Sequence, residues 1–284
     1  MRNLKPFEEN TITFFDEVVA ARRVSDLDPD FLTRIVSYRT GLVIAYTAYD
    51  GHFDGQSLIT AVAAGHVHPT KADLIKLYSY KAKVFQNLQF KLTTDENRRL
   101  INTCQNCTIN EINSFDHILP KDEFPEFSVN PKNLFPSCTQ CNGYKSTVRR
   151  NGSEALFLNL FLDVLPPDQY LYAVVNVNDE IEISYTVENR TGLNGALFSL
   201  IDSHYRRLHL QSRFSKNCEG IITELINSIL ACKNHLSKEN IRSVVLDKAS
   251  RDLNKFGHNY WKAITAIALI ESDDFFEFAI TQEI

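Results

Sequence analysis

Residues 104–145 read CQNCTINEINSFDHILPKDEFPEFSVNPKNLFPSCTQCNGYK, and the reading of this stretch decides the fold. It opens with Cys104-Gln-Asn-Cys107 and nearly closes with Cys138-Thr-Gln-Cys141, thirty residues lying between the pairs. Two thiolates three positions apart share one face of a tight turn, and two such knuckles supply the tetrahedral sulphur set that Zn2+ favours. The competing reading, a redox pair, needs only one C-x-x-C at a helix start, so two pairs bracketing one short segment point to a structural zinc. Four sulphur ligands leave no open position for water, which makes such a zinc a staple and not a catalyst. Residues 97–150 also hold four of the nine prolines, at 120, 125, 131 and 136. A segment so short and loop-rich does not fold on burial alone, and a metal supplies what the core lacks.

A second set of residues is threaded through the first. Phe115-Asp116-His117-Ile118-Leu119-Pro120 is followed by Asn133-Leu134-Phe135-Pro136, then by Cys141-Asn142-Gly143-Tyr144-Lys145. Taken alone, Asp-His-x-x-Pro reads as a turn with a surface histidine. Taken in register with the cysteines, the whole resembles the HNH nuclease motif in its zinc-stapled form, C-x-x-C, D-H-x-x-P, N-L-x-P-x-C-x-x-C-N-x-x-K, with Asn142 where the family name has its last histidine. The resemblance implies a ββα-metal module: a strand carrying Asp116 and His117, a loop, a strand near Asn133 and a helix starting near Cys141. It also implies an endonuclease leaving a 5′-phosphate and a 3′-hydroxyl.

The chemistry of the residue types agrees. Phosphodiester hydrolysis needs a base for water, a cation to neutralise charge on the phosphorane, and help for the leaving oxygen. His117 is the base, since an imidazole near its ordinary pKa of about 6.5 is substantially neutral at pH 7. Asp116 and Asn142 offer hard oxygens to one catalytic Mg2+ or Mn2+. Adjacent strand residues point to opposite faces, so Asp116 and His117 reach a common site only if the strand twists or bulges. Asn133 holds the imidazole or the loop that orients it. Lys145 is expected at the phosphate, with Arg149 and Arg150 continuing a nucleic-acid track along the helix.

Working outward, residues 1–96 read as an N-terminal helical region, 97–150 as the nuclease module with structural zinc, and 151–284 as a C-terminal hairpin and helical region. The fold class is therefore α+β, mostly helical. Helices are expected over 7–23, from Asp28-Pro29-Asp30 through Leu42, from Thr70 to about Leu92, and over 154–162. Residues 170–177 and 180–187 alternate around Asn178-Asp179 as a β-hairpin, and helices are expected over 195–208, 218–236, 237–255 and 260–269. Cys218 and Cys232, fourteen apart, read as core thiols, and His66 and His68 as loop residues.

Composition narrows the partners. The 284 residues are 44% hydrophobic and 23% charged, which excludes disordered, collagenous and coiled-coil classes. No apolar run reaches the ~18–20 residues of a membrane span, and the polar start is unlike a secretory signal, so a cytoplasmic chain without membrane contact is expected. Net charge is −5, against binding nucleic acid by bulk charge. Residues 98–150 carry seven cations and five anions, a slight local excess. Such a weak basic signal argues that grip on nucleic acid, DNA before RNA, comes partly from a partner. Phe161 through Tyr172, with His204 and Leu208-His209-Leu210, is further similar to bacterial HNH proteins of this length, some of which act beside an ATPase in Septu or retron-type phage defence. That resemblance implies an ATPase partner or pairing of two copies, and an antiviral role. A zinc-bearing adaptor without catalysis and a free-standing restriction-type nuclease are the rival readings.

Overall fold

The computed structural model describes residues 1–282. The chain packs as two compact units, Asn3–Val164 and Leu165–Ile284, the latter joined by Met1–Arg2. Residues 97–150 thus pack in the same unit as the N-terminal helices.

In that unit α1 (Thr11–Ala20) lies against α2 (Phe31–Asp54), followed by α3 (Thr70–Lys76) and α4 (Lys83–Thr93). Asn10 caps α1, its side chain accepting from the Ile12 amide. Helix α2 runs straight through Gly41 and Gly51, because Phe31, Ile35, Leu42, Tyr46, Tyr49 and Phe53 recur at helical spacing and are all buried. The single helix expected from Thr70 to Leu92 is broken at residues 77–82. Here tertiary contact overrides local pattern: Tyr78 stands against His117, and Tyr80 packs edge-on to Phe115 with ring centroids 5.8 Å apart.

Two short strands, β1 (Ser114–His117) and β2 (Leu134–Ser137), form an antiparallel ribbon, with α5 (Thr139–Lys145) directly after it. This is the strand, strand, helix order that the motif implies. The register puts Phe115 opposite Pro136 and Asp116 opposite Phe135. Pro136 has no N–H to give, so it sits where the ribbon needs no donor, and both Phe115 backbone groups bond outside the ladder. Arg150–Asn151 (β3) pairs with Glu154–Ala155 (β4), so the helix expected over 154–162 is instead a tight turn and irregular chain.

The core of this unit is continuous from the helices into residues 97–150. Phe127, from the loop between the strands, meets Tyr49 at 4.8 Å and Tyr46 at 6.2 Å between ring centroids. Phe135 of β2 stands 4.9 Å from Phe161. Burying rings of this size contributes about 1.5–3 kcal/mol each, enough to fix the loop on the helices.

The other unit is a β-hairpin, β5 (Leu171–Val177) and β6 (Ile181–Val187), with helices α6 (Gly195–Arg207), α7 (Leu210–Ser215), α8 (Glu219–Cys232), α9 (Lys238–Phe256), α10 (Trp261–Glu271) and α11 (Asp273–Thr281). Phe214 stacks on Trp261 at 5.1 Å, and Asn259 Oδ1 accepts from the amides of Tyr170 and Leu171. Cys218 is buried beside Tyr185, as expected of a core thiol. Ser272 caps α11, accepting from the Phe275 amide, and Asp273 in the first turn is exposed and forms ion pairs with Lys238 and Arg242.

Candidate active site

The four cysteine sulphurs lie within 4.8 Å of one another and are all buried. Cys107 and Cys138 are 3.9 Å apart at sulphur, close to the roughly 3.8 Å edge of a tetrahedron with Zn–S bonds of about 2.3 Å. The first knuckle is a turn in which Thr108 N–H bonds the Cys104 carbonyl, with Thr108 in the left-handed region. The second caps α5, where the Cys141 amide donates to Cys138 Sγ. Crowding of the sulphurs drives Cys107 and Cys138 toward thiolate and holds Cys104 and Cys141 as thiols. Four thiolates at this spacing repel unless a cation lies among them, so the donor set fits a structural zinc.

At the other end of the ribbon Asp116, His117 and Asn142 line one cleft of about 210 Å3, with Tyr78, Lys121 and Ser146 on its walls. The two adjacent strand residues reach it with no bulge in the register, since His117 is the last residue of β1. His117 Nε2 lies 2.9 Å from the Ser128 carbonyl oxygen. A carbonyl only accepts, so Nε2 carries the proton and Nδ1 is left as the acceptor nitrogen. Burial pushes the imidazole down to about 3, so it is neutral throughout the physiological range.

Asp116 Oδ1 accepts from Lys145 Nζ at 2.8 Å, and the same ammonium donates to the His117 carbonyl at 2.7 Å. Burial raises the Asp116 carboxyl, and Lys145 counters part of that. Among the described residues Oδ2 has no hydrogen-bond partner. Asn142 Nδ2 donates to the Phe115 carbonyl, which leaves its Oδ1 as the unbonded end of the amide. Asp116 also lines a second cavity, which it shares with Lys145; its carboxylate and the Asn142 amide are the hard oxygens at this end of the ribbon, a set that suits a divalent cation keeping several waters.

Four of the sequence-expected residues lie elsewhere. Asn133 is fully buried and does not line the cleft. Its Oδ1 accepts from the Leu119 amide and the Tyr49 hydroxyl, and its Nδ2 donates to the carbonyls of Leu119 and Phe127. It ties the two ends of loop 118–133 together, and that loop carries Ser128. Arg149 turns inward: it donates to the carbonyls of Ile59 and Ala61, pairs with Glu123 and lies over Phe124. Its burial rules out the phosphate contact expected of it. Arg150 is exposed in β3. Lys145 is likewise buried, its charge spent on Asp116 and not presented to solvent.

The residues that sequence reasoning missed are Tyr78, Ser128 and Lys121. Lys121 is the cation at the cleft, its ammonium 5.1 Å over the Tyr78 ring, and it directly follows the proline of Asp-His-x-x-Pro. That adjacency was the available signal.

Comparison with known proteins agrees with this geometry. Residues 104–147 match the HNH endonuclease family, so the four-cysteine ribbon and helix are an HNH domain. The protein ea31 of Escherichia phage lambda is 28% identical over 234 residues, covering 76% of this chain and 77% of that protein. The Septu protein PtuB of Bacillus thuringiensis is 46% identical over 44 residues, 14% of this chain and 17% of that protein. No solved structure matches the chain. No helix among the described residues is long and apolar enough to cross a membrane.

Proposed function

We propose that the HNH domain makes this chain a metal-dependent endonuclease, with His117 as general base. The observation that supports this reading is that His117, Asp116 and Asn142 line one cleft, with the imidazole Nε2 bonded to the Ser128 carbonyl and so Nδ1 left as the acceptor. In the reaction, His117 Nδ1 takes the proton of the attacking water. The Nε2–H bond to Ser128 fixes the tautomer and spreads the charge that develops on the ring. A scissile phosphate beside the ring favours its protonated form, raising the imidazole from its buried value toward the range a base needs. Asp116 and Asn142 would hold Mg2+ or Mn2+, which supplies charge neutralisation at the phosphoryl oxygens and the leaving oxygen. Lys145 holds Asp116 through Oδ1 and so keeps Oδ2 aimed for that ion. The products carry a 5′-phosphate and a 3′-hydroxyl.

Substrate grip is the weak part of the site. With Lys145 and Arg149 buried, half-buried Lys121 is the cation on the cleft wall, and the chain is acidic overall. The enzyme therefore depends on a partner, an ATPase or a second copy, to hold DNA. The stretch shared with the Septu protein supports a role in bacterial defence against phage. The longer match, to a phage protein, favours a second reading in which the nuclease serves a phage. Expression in a phage-sensitive host separates the two: defence predicts fewer plaques with the wild type and none of that protection with His117→Ala. Incubation with double- and single-stranded DNA and RNA, with Mg2+ or Mn2+, tests the activity. The reading predicts cleavage with 5′-phosphate ends, and no cleavage under any divalent ion supports the adaptor alternative.

A further inference from the structure

The imidazole of His117 is confined on two sides, and both confining groups trace to α3 and the turn after it. On one side stands Ser128, whose carbonyl accepts the Nε2 proton and whose hydroxyl donates to the Leu74 carbonyl of α3 at 2.6 Å. On the other side stands Tyr78, its ring edge-on to the imidazole with centroids 4.8 Å apart and planes at 71°. The Tyr78 hydroxyl accepts from the Phe115 amide at 3.1 Å, satisfying the outer edge of β1 that β2 leaves unpaired. Helix α3 is itself held on α2 by Asp73, which takes both Nε and Nη2 of Arg34 and the hydroxyl of Tyr38. Ser128 belongs to the segment 104–147 that matches the HNH family, but Tyr78, Leu74, Asp73, Arg34 and Tyr38 all lie outside it.

We infer that Tyr78 is a positioning residue for the nuclease reaction: it fixes the ring of His117 and the backbone of β1, so that the N-terminal helices complete an active site the HNH segment does not build alone. The inference rests on the nuclease reading above. A free imidazole beside a cleft rotates about two side-chain torsions, and a base displaced by about 1 Å loses on the order of 10²-fold in rate. Tyr78 contributes two separable things. The ring is a wall against rotation of His117, and the hydroxyl ties down the peptide two residues before it. The ring matters more, since the Ser128 bond fixes one ring nitrogen but does not stop tilting about it.

The test compares Tyr78→Phe and Tyr78→Ala in the full chain loaded with zinc. Tyr78→Phe keeps the wall and is expected to retain the rate within about 5-fold. Tyr78→Ala is expected to lower kcat by about 10²-fold with KM raised far less, because losing the ring under Lys121 weakens substrate grip only modestly while the base wanders. Nitrogen NMR of the His117 ring provides a readout independent of cutting. The wild type and Tyr78→Phe show one slowly exchanging Nε2–H signal, and Tyr78→Ala loses it. If Tyr78→Ala keeps both that signal and kcat, the inference is overturned. If kcat falls only as far as the folded fraction falls, with the Nε2–H signal preserved in the folded protein, it is overturned as well. If the wild type does not cut, the nuclease reading fails, while the ring signal still decides whether Tyr78 orients His117.

Discussion

The two ends of the HNH segment are built by opposite means. At the sulphur end every ligand comes from within 38 residues of sequence, the cluster is closed, and nothing outside the segment is needed to form it. At the imidazole end the groups proposed to act come from the segment, but the groups that hold them come partly from α2, α3 and the turn after α3. A structural metal centre carries its own folding energy, whereas a catalytic cleft has to stay open and must borrow rigidity from its surroundings. The difference teaches that the staple is local and the active site is not.

The most severe way to break that comparison is at the sulphurs. Cys138→Ser removes a sulphur ligand while leaving a hydroxyl that can still cap α5. Structural zinc supplies about 10–16 kcal/mol in small zinc modules, more than a typical domain's whole stability. The variant is expected to lose zinc and soluble fold together, read by metal analysis and circular dichroism. A variant that stays folded without zinc would show that the helices, and not the metal, hold the segment.

The second test separates the two ends by metal hardness. Brief EDTA treatment is expected to abolish cutting while leaving zinc bound, since an ion on two oxygens and water exchanges easily and one caged by four thiolates does not. Added Mg2+ should then restore the rate without added zinc.

A third probe is Asn133→Ala, which orphans the Leu119 amide and carbonyl and leaves the Phe127 carbonyl with the Asn130 amide alone. An unsatisfied buried group costs about 1–3 kcal/mol, so a loss near 3 kcal/mol and a fall in Tm of about 5–10 °C is expected. Cutting should fall too, because the loop carrying Ser128 is released.

Acid acts at the imidazole end. The unfolded His117 takes up its proton near 6.5 and the buried one only near 3. Between those values the unfolded chain binds more protons, so stability falls as pH drops through the window and is complete above it. The slope is at most about 1.4 kcal/mol per pH unit. Asp116, whose carboxyl burial raises, works the other way at the acid end. Thermal melts from pH 7 to pH 4 should show a shallower loss for His117→Gln than for the wild type.

The smallest effect separates two neighbouring arginines. Arg149→Ala is expected to lower stability by about 1–3 kcal/mol through its lost carbonyl bonds, with little effect on the salt dependence of DNA binding. Arg150→Ala is expected to change stability by less than about 0.5 kcal/mol.

What was legible in the sequence follows the same division. The cysteine spacing makes the four-cysteine cluster legible, because two C-x-x-C turns close in the chain bring their sulphurs together in a way a metal site requires. Asp116, His117 and Asn142 were visible through their order relative to those cysteines. The hairpin of β5 and β6 was visible because alternation around Asn178-Asp179 is a local signal. Tyr78 was not legible: it lies 38 residues before Asp116, and an edge-on ring contact leaves no spacing rule. The inward turn of Arg149 was hidden for a similar reason, since its partners at Ile59 and Ala61 are loop carbonyls that any residue type offers. The break between α3 and α4 was hidden because its apolar positions continue a helical period while their rings are claimed by β1.

The most direct test of the central claim compares wild type and His117→Ala, matched for zinc content, in cleavage of end-labelled DNA with Mg2+ or Mn2+, alone and with any protein that co-purifies. The account predicts cutting by the wild type with 5′-phosphate products, and a loss of about 10²–10⁴-fold in the variant at unchanged fold. Equal cutting by the two proteins would remove His117 as the base and contradict the account.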